Sequence, residues 1–486
     1  MKKLLFACLV AAFSTSLIGC SVLDRITGRK SPLEEFRTKV EMVLSDSAFT
    51  ATKTGIKIVS LDKGDVLYER DAKMLLRPAS NMKLLTTATA LATLGKAFTL
   101  PTTMFADTLV RDSVLHGNLY FKGSGDPDLM SSHLTEMVSA LKANGISGIS
   151  GNIVGDATYF DDERWGAGWM WDDEPAGFAA YNSALTINRN CVEVTVNPGN
   201  APGDSAQVTI APATGYISVV NDARTSVDSI PTTIEVSRKY KEHLNTITVH
   251  GTIPRGSQTR HDLISVLRPE IYFLTLVREE LARQNIRFSG TIALDTIPFG
   301  VRLLARHVQP IDSMIVFLNK VSDNLSAENT LKIIGAMTYG TPGSTEHGIS
   351  VVKRVLANFG IDSTKFLMVD GSGVSHYNLL TPEIYVELLR GMYSRKDIFD
   401  LYYMTLPNAG VDGSLDTRMQ NSPAQNDLHA KTGTISGVST LSGYVHTADG
   451  EFLAFSMMMQ NYIGSSEPYR RAQDAIGIPM ANFRRK

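Results

Sequence analysis

A serine and a lysine three positions apart on a helix share one face, because positions i and i+3 are neighbours on its surface. The unprotonated amine can then take the hydroxyl proton as the serine oxygen attacks a carbonyl carbon. The sequence holds four such pairs, starting at Ser60, Ser80, Ser139 and Ser350. A lysine-threonine-glycine triplet occurs at Lys53 and Lys431, and serine-x-asparagine at Ser150 and Ser322. No single element is specific, so the structure expected around each must separate them.

Ser60 and Lys63 fall in a strand and its turn, where i and i+3 do not share a face. That strand is read from Gly55 to Leu61, turning at Asp62-Lys63-Gly64 and returning through Val66-Leu67-Tyr68 as a hairpin. Ser80 follows a Pro78-Ala79 turn and opens a stretch to Leu94 with no Gly or Pro, which stops at Gly95; this predicts a helix. Ser139 and Lys142 sit on the solvated edge of an amphipathic helix. Ser350 opens a helix but comes after Ser322, so the chain order fails. Only Ser80-Lys83, Ser322-Asp323-Asn324 and Lys431-Thr432-Gly433 supply all three elements in order.

At 486 residues the chain suggests about three domains. From about 98 to 268, short β-rich runs such as Leu119-Tyr120-Phe121, Val192 to Val196 and Thr246 to Val249 alternate with turn residues. Helical periodicity returns at Pro269 to Asn285, Ile311 to Met337, Ile349 to Phe359 and Pro382 to Tyr393. Strands around Leu441 to Val445 and Phe452 to Met459 and a C-terminal helix follow. The reading is one α/β domain, 32–97 plus 269–486, interrupted by one or two β-rich inserted domains at 98–268. Trp165, Trp169 and Trp171 are read as packing a domain seam.

Net charge is −2, without the basic excess that nucleic-acid binding needs. The ten histidines show no metal-ligand spacing, so neither metal nor organic cofactor is expected. Lys2 and Lys3 precede an apolar run shorter than the ~20 residues that span a bilayer, which reads as a signal peptide over 1–20. It ends in Leu17-Ile18-Gly19-Cys20, which resembles a bacterial lipoprotein cleavage box, with Cys20 as the acylated residue and 21–31 as a polar tether. Ser21, following Cys20, favours the outer membrane. Once Cys8 leaves with the signal and Cys20 carries lipid, Cys191 stands alone and no intramolecular disulfide is available.

The ordered triple resembles the motifs of the penicillin-recognising serine enzymes. The long insertion between the first two motifs resembles that of class C low-molecular-mass penicillin-binding proteins, the D-alanyl-D-alanine carboxypeptidase/endopeptidase family. Gly123-Ser124-Gly125-Asp126-Pro127, Gly155-Asp156 with Phe160, Asn188-Arg189-Asn190-Cys191 and Asp370-Gly371-Ser372-Gly373 with Ser375 and Asn378 also match.

The resemblance implies a β-lactamase/transpeptidase-like antiparallel sheet flanked by helices. It implies hydrolysis of peptidoglycan stem peptides, covalent binding of β-lactams and a tendency to dimerise, the oligomeric state itself staying open. Ser80 would be the nucleophile and Lys83 its base, Ser322 would protonate the leaving nitrogen, and Asn324 would orient Lys83 and the substrate amide. Lys431, Thr432, Gly433 and Thr434 would hold the terminal carboxylate, and the backbone N–H groups of Ser80 and Thr434 would form the oxyanion hole. Asp156 and Phe160 would form part of a pocket for the third substrate residue. The family often carries Arg and Gln at two further positions of that pocket, where this chain has His376 and Ser436. A lysine acting as base near neutrality must have its ordinary pKa of about 10.4 lowered, at a cost of ~4 kcal/mol. Burial of Lys83 and the nearby charge of Lys431 are expected to do this. Two rival readings are a serine β-lactamase, for which Glu328 is the candidate deacylating base, and a non-catalytic wall-binding lipoprotein. Glu328 is read as facing solvent or making a structural pair.

Overall fold

The computed structural model describes residues 30–485; the leader, Cys20 and most of the tether lie outside them. The first element is a helix absent from the expectations, α1 (Pro32–Leu44). Its signal is present in the sequence: Ser31 Oγ accepts from Glu34 N (3.3 Å) and Glu34 Oε2 accepts from Ser31 N (2.8 Å), a capping box followed by Pro at the first turn. The expected hairpin follows as β1 (Lys53–Ser60) and β2 (Val66–Arg70), and the helix after Ser80 is α2 (Met82–Leu94).

After the insertion come α3 (Ile311–Lys320), α4 (Asn324–Tyr339), α5 (Thr345–Asn358), α6 (Pro382–Ser394) and α7 (Phe399–Thr405). The chain ends with β3 (His429–Ile435), β4 (Val438–His446), β5 (Phe452–Gln460) and α8 (Glu467–Ala481). The five strands form one antiparallel sheet in the order β2-β1-β5-β4-β3.

Strand side chains alternate between faces, and both faces of this sheet are covered. Ile56, Ile58, Phe455 and Met457 pack with Phe36 and Val40 of α1 and Ile476 and Met480 of α8. Val59, Ala454, Met458 and Tyr444 pack with Leu84, Ile333 and Tyr385 on the opposite side. Burial on both faces explains why β5 reads as a continuous apolar run without polar alternation.

Two expectations change. The run from Ile311 to Met337 is two helices, broken at Ser322, which takes a left-handed conformation (φ 65°). Asp323 caps the second by accepting from Ser326 N (2.7 Å). No Gly or Pro marks the break. The insertion also ends at about 310, beyond the expected 268. Helix Pro269–Arg283 packs Tyr272, Phe273 and Leu276 into the insertion's core beside Phe121 and Ile153. Strands Ile292–Leu294 and Arg302–Pro310 flank the insertion's five-stranded sheet. The chain leaves and re-enters the main domain side by side, where Ile311 N donates to Phe98 O (3.0 Å). Amphipathic periodicity marks a helix but does not say which core its apolar face meets.

β3 lies against the turn that carries Ser80. A Cβ on Gly433 would stand 2.2 Å from Thr440 Oγ1, 2.9 Å from Pro78 O and 3.0 Å from Ser80 N. Thr440 Oγ1 in turn donates to Pro78 O (2.9 Å). Gly433→Ala is therefore expected to cost ~1–3 kcal/mol by overpacking and to slow acylation by on the order of 100-fold through displacement of Ser80. Thermal unfolding and stopped-flow acylation check the two effects separately.

Candidate active site

Ser80 lies in a single 3-10 turn, Ala79–Asn81, that leads into α2. Ala79 is held left-handed (φ 46°), a strain of ~1–3 kcal/mol that surrounding packing must maintain. Gly373 backs that turn so closely that a Cβ there would lie 1.8 Å from Ala79 O. One helical turn on, Lys83 is fully buried. Its Nζ reaches Ser80 Oγ (3.2 Å), Asn324 Oδ1 (2.6 Å) and the carbonyl of Ser372 (2.8 Å). A neutral amine keeps its two N–H bonds to the carbonyl oxygens and turns its lone pair toward the serine hydroxyl.

Burial pushes the Lys83 pKa down to about 8, against the pull of Asp370, Asp323 and Glu328, which favour the charged form. The expected repulsion between lysines falls on the other partner. Lys431, also fully buried, is pushed well below its ordinary value by burial and then by the charge of Lys83. Its Nζ donates to Thr432 O (2.9 Å) and has no carboxylate partner among the described residues. An incoming substrate carboxylate would favour its charged form.

Ser372 was not singled out by the sequence as a partner of Lys83. Its carbonyl is fixed by the loop Asp370–Asn378, which turns on one buried carboxylate. Asp370 accepts from Gly373 N (2.9 Å), Ser375 N (2.7 Å), Asn378 Nδ2 (2.6 Å) and Trp169 Nε1 (3.0 Å). Glu328 does not face solvent: it is buried and accepts from Gly371 N (3.0 Å) and Ser372 N (2.7 Å). Burial, then the charge of Asp370, raises its pKa to about 7, opposed by the hydrogen bonds from those amides. With its carboxylate turned to these amides beneath the loop, Glu328 makes the structural pair and not a deacylating base.

Ser80, Ser322, Asn324 and Thr434 line one cleft of about 260 Å3. The left-handed Ser322 places its side chain at the gap between α3 and α4, and Asn324 opens α4. Thr432 is tied to Ser414 through their hydroxyls (2.6 Å), and Gly433 abuts the Ser80 turn. Asp156 and Phe160 do not line this cleft. Asp156 is occupied by Thr158 Oγ1 (2.6 Å) and Lys122 (3.4 Å), while Phe160 lines a separate cavity. Met170, Asp173 and Phe178 line the catalytic cleft from the insertion's side. The run Trp171-Asp172-Asp173-Glu174 carried the signal for Asp173, but such a run reads as a solvated loop.

The tryptophan expectation holds for two of three residues. Trp165 and Trp169 pack with Ala179 and Val374 at the seam, whereas Trp171 is 64% exposed. Asn324 Nδ2 also crosses the seam, donating to Phe178 O (2.7 Å). His376 lines the cleft 3.1 Å from Arg77, and burial with the Arg77 charge pushes its pKa below the ordinary value.

The model of the D-Ala-D-Ala carboxypeptidase 3 (S13) family matches residues 36–482. A D-alanyl-D-alanine carboxypeptidase of an Actinomadura species is 33% identical over 93% of this chain and 85% of its own length. The D-alanyl-D-alanine carboxypeptidase DacB of Haemophilus influenzae is 26% identical over 85% of this chain and 86% of its own. The crystal structure of penicillin binding protein 4 from H. influenzae superposes with a TM-score of 0.81 at 25% identity, covering 91% of this chain and 99% of that one.

Glu328→Gln replaces an acceptor of two amides with a group that presents a donor to them. It is expected to cost ~1–3 kcal/mol of stability and to slow acylation about tenfold as the Ser372 carbonyl loosens. Loss of the negative charge also lowers the Lys83 pKa, so the midpoint of the acylation pH profile should move to lower pH, a shift that simple loss of packing would not produce.

Proposed function

The chain belongs to the D-Ala-D-Ala carboxypeptidase 3 (S13) family, and on that premise we propose that Ser80 is the nucleophile of a serine D-alanyl-D-alanine carboxypeptidase acting on peptidoglycan stem peptides. The observation that carries the assignment is the buried Lys83 amine, held by Asn324 and Ser372 with Ser80 Oγ as its third neighbour.

Lys83 takes the Ser80 proton as Oγ bonds to the carbonyl carbon of the penultimate D-alanine. The N–H groups of Ser80 and Thr434 receive the developing oxyanion. Collapse breaks the C–N bond, and the proton gained by Lys83 returns through Ser322 to the leaving nitrogen. Lys431, with Thr432 and Thr434, pairs with the terminal carboxylate. Water then cleaves the Ser80 ester with Lys83 again as base. The same bond is broken when the leaving amine belongs to a cross-linked chain, so the proposal includes endopeptidase activity. β-Lactams acylate Ser80 by the same attack. Asp173 beside the His376 imidazole suits a third residue with an amine in its side chain.

The proposal places the enzyme outside the cytoplasm, anchored by lipid on Cys20, with the outer membrane favoured by Ser21. Pairing of two copies rests on the family resemblance, and sedimentation of the soluble form measures it.

Release of D-alanine from a diacylated Lys-D-Ala-D-Ala peptide tests the activity. Ser80→Ala and Lys83→Met are each expected to reduce it by about a thousandfold while leaving the fold intact; unchanged release from Ser80→Ala would refute the assignment. Separately, Cys20→Ala is expected to move the protein from the membrane to the soluble fraction after cell disruption, and continued sedimentation with membranes would contradict the anchor.

A further inference from the structure

A second cavity, of about 490 Å3, shares no lining residue with the catalytic cleft. Its size is that of a small-molecule site. Phe160, Ala184, Leu294 and Pro342 give it an apolar side. Asn182 also lines it, is only 3% exposed, and has no hydrogen-bond partner for its side-chain oxygen among the described residues. A buried amide oxygen left this way offers an acceptor to a donor brought into the cavity.

The charges around it are unequal. Asp161 is neutralised by Lys332, and Arg164 is drawn to the buried Glu270 (3.3 Å) as well as to Asp162 (3.5 Å). Asp295 has no cation partner among the described residues, and Asp162 is fully exposed despite its long contact with Arg164. The lining therefore combines an apolar side, an unanswered amide and surplus negative charge. That combination fits a short peptide bearing a free amine.

The same segment walls both cavities. Residues 161–183 begin with Asp161, Asp162 and Arg164 in the second cavity and return to it at Asn182 and Ser183. Their two ends are joined where Asn182 N donates to Arg164 O (2.9 Å). Between these ends, Met170, Asp173 and Phe178 line the catalytic cleft, while Trp169 and Phe178 are hydrogen-bonded to Asp370 and Asn324. A ligand gripping the ends acts on the wall that faces Ser80.

We propose that this cavity is a second, non-catalytic site for an amine-bearing stem peptide, and that its occupancy sets the position of the strap walling the catalytic cleft. The ligand identity rests on the reading of the enzyme as one that acts on stem peptides.

The probe is the tripeptide L-alanyl-γ-D-glutamyl-L-lysine, titrated calorimetrically into protein whose cleft is blocked by benzylpenicillin. Saturable binding at one site is expected, with a change in tryptophan fluorescence from the strap. Affinity should fall by about tenfold or more with Asn182→Ala, with the Asp162→Asn/Asp295→Asn pair and with the Nε-acetylated peptide. Normal penicillin acylation of each variant shows that it is folded. Absence of binding to the acylated protein, or binding indifferent to both variants and to acetylation, overturns the second site. Failure of the wild-type protein to form the penicilloyl adduct would instead count against the catalytic reading.

Discussion

The whole arrangement turns on one nitrogen. Lys83 Nζ must be dry enough to lose its proton, yet it must touch three oxygens, two of them from residues 241 and 289 positions along the chain. Desolvation lowers its pKa, while Asp370, Asp323 and Glu328 would by themselves raise it. These carboxylates stay near because they do other work: Asp370 and Glu328 between them organise the amides of the loop whose Ser372 carbonyl binds Lys83, and Asp323 caps the helix that begins with Asn324. Burial is the larger effect, and the amine settles where a base is useful near neutral pH.

Backbone strain also falls at this place. Ala79 and Ser322, both non-glycine residues in the left-handed region, stand just before Ser80 and at the gap that precedes Asn324. Tight neighbours hold the first of them: Gly373 and Gly433 approach the Ser80 turn at distances no larger residue permits. The triplet's glycine thus has a packing reason, separate from any contact with substrate.

Much of this was legible in the sequence, and the limits have physical causes. Ser80, Lys83, Ser322, Asn324 and Thr434 converge because local geometry fixes each motif, and order along the chain selects among copies. Lys431 could likewise be picked out, but not the fact that burial and the charge of Lys83 together push its pKa down as well. The break at Ser322 was hidden because its neighbours are good helix residues and the left-handed turn is stabilised by tertiary contacts. The insertion's end was misplaced because Pro269–Arg283 announces a helix without naming its core. No motif marks Asp173 and Phe178 for the cleft, whereas the family resemblance points to Asp156 and Phe160, because which loop faces a cleft is a property of docked domains. The seam itself, with Trp169 on Asp370 and Phe178 on Asn324, makes the insertion part of the active site.

The most direct test of the central claim is the rate of Ser80 acylation by benzylpenicillin as a function of pH, with the adduct mapped by peptide mass. A neutral Lys83 acting as base predicts a rate that rises in proportion to hydroxide and levels off above about pH 8, with the adduct on Ser80. A rate that stays flat between about pH 6 and 9, or an adduct on any other residue, would contradict the account.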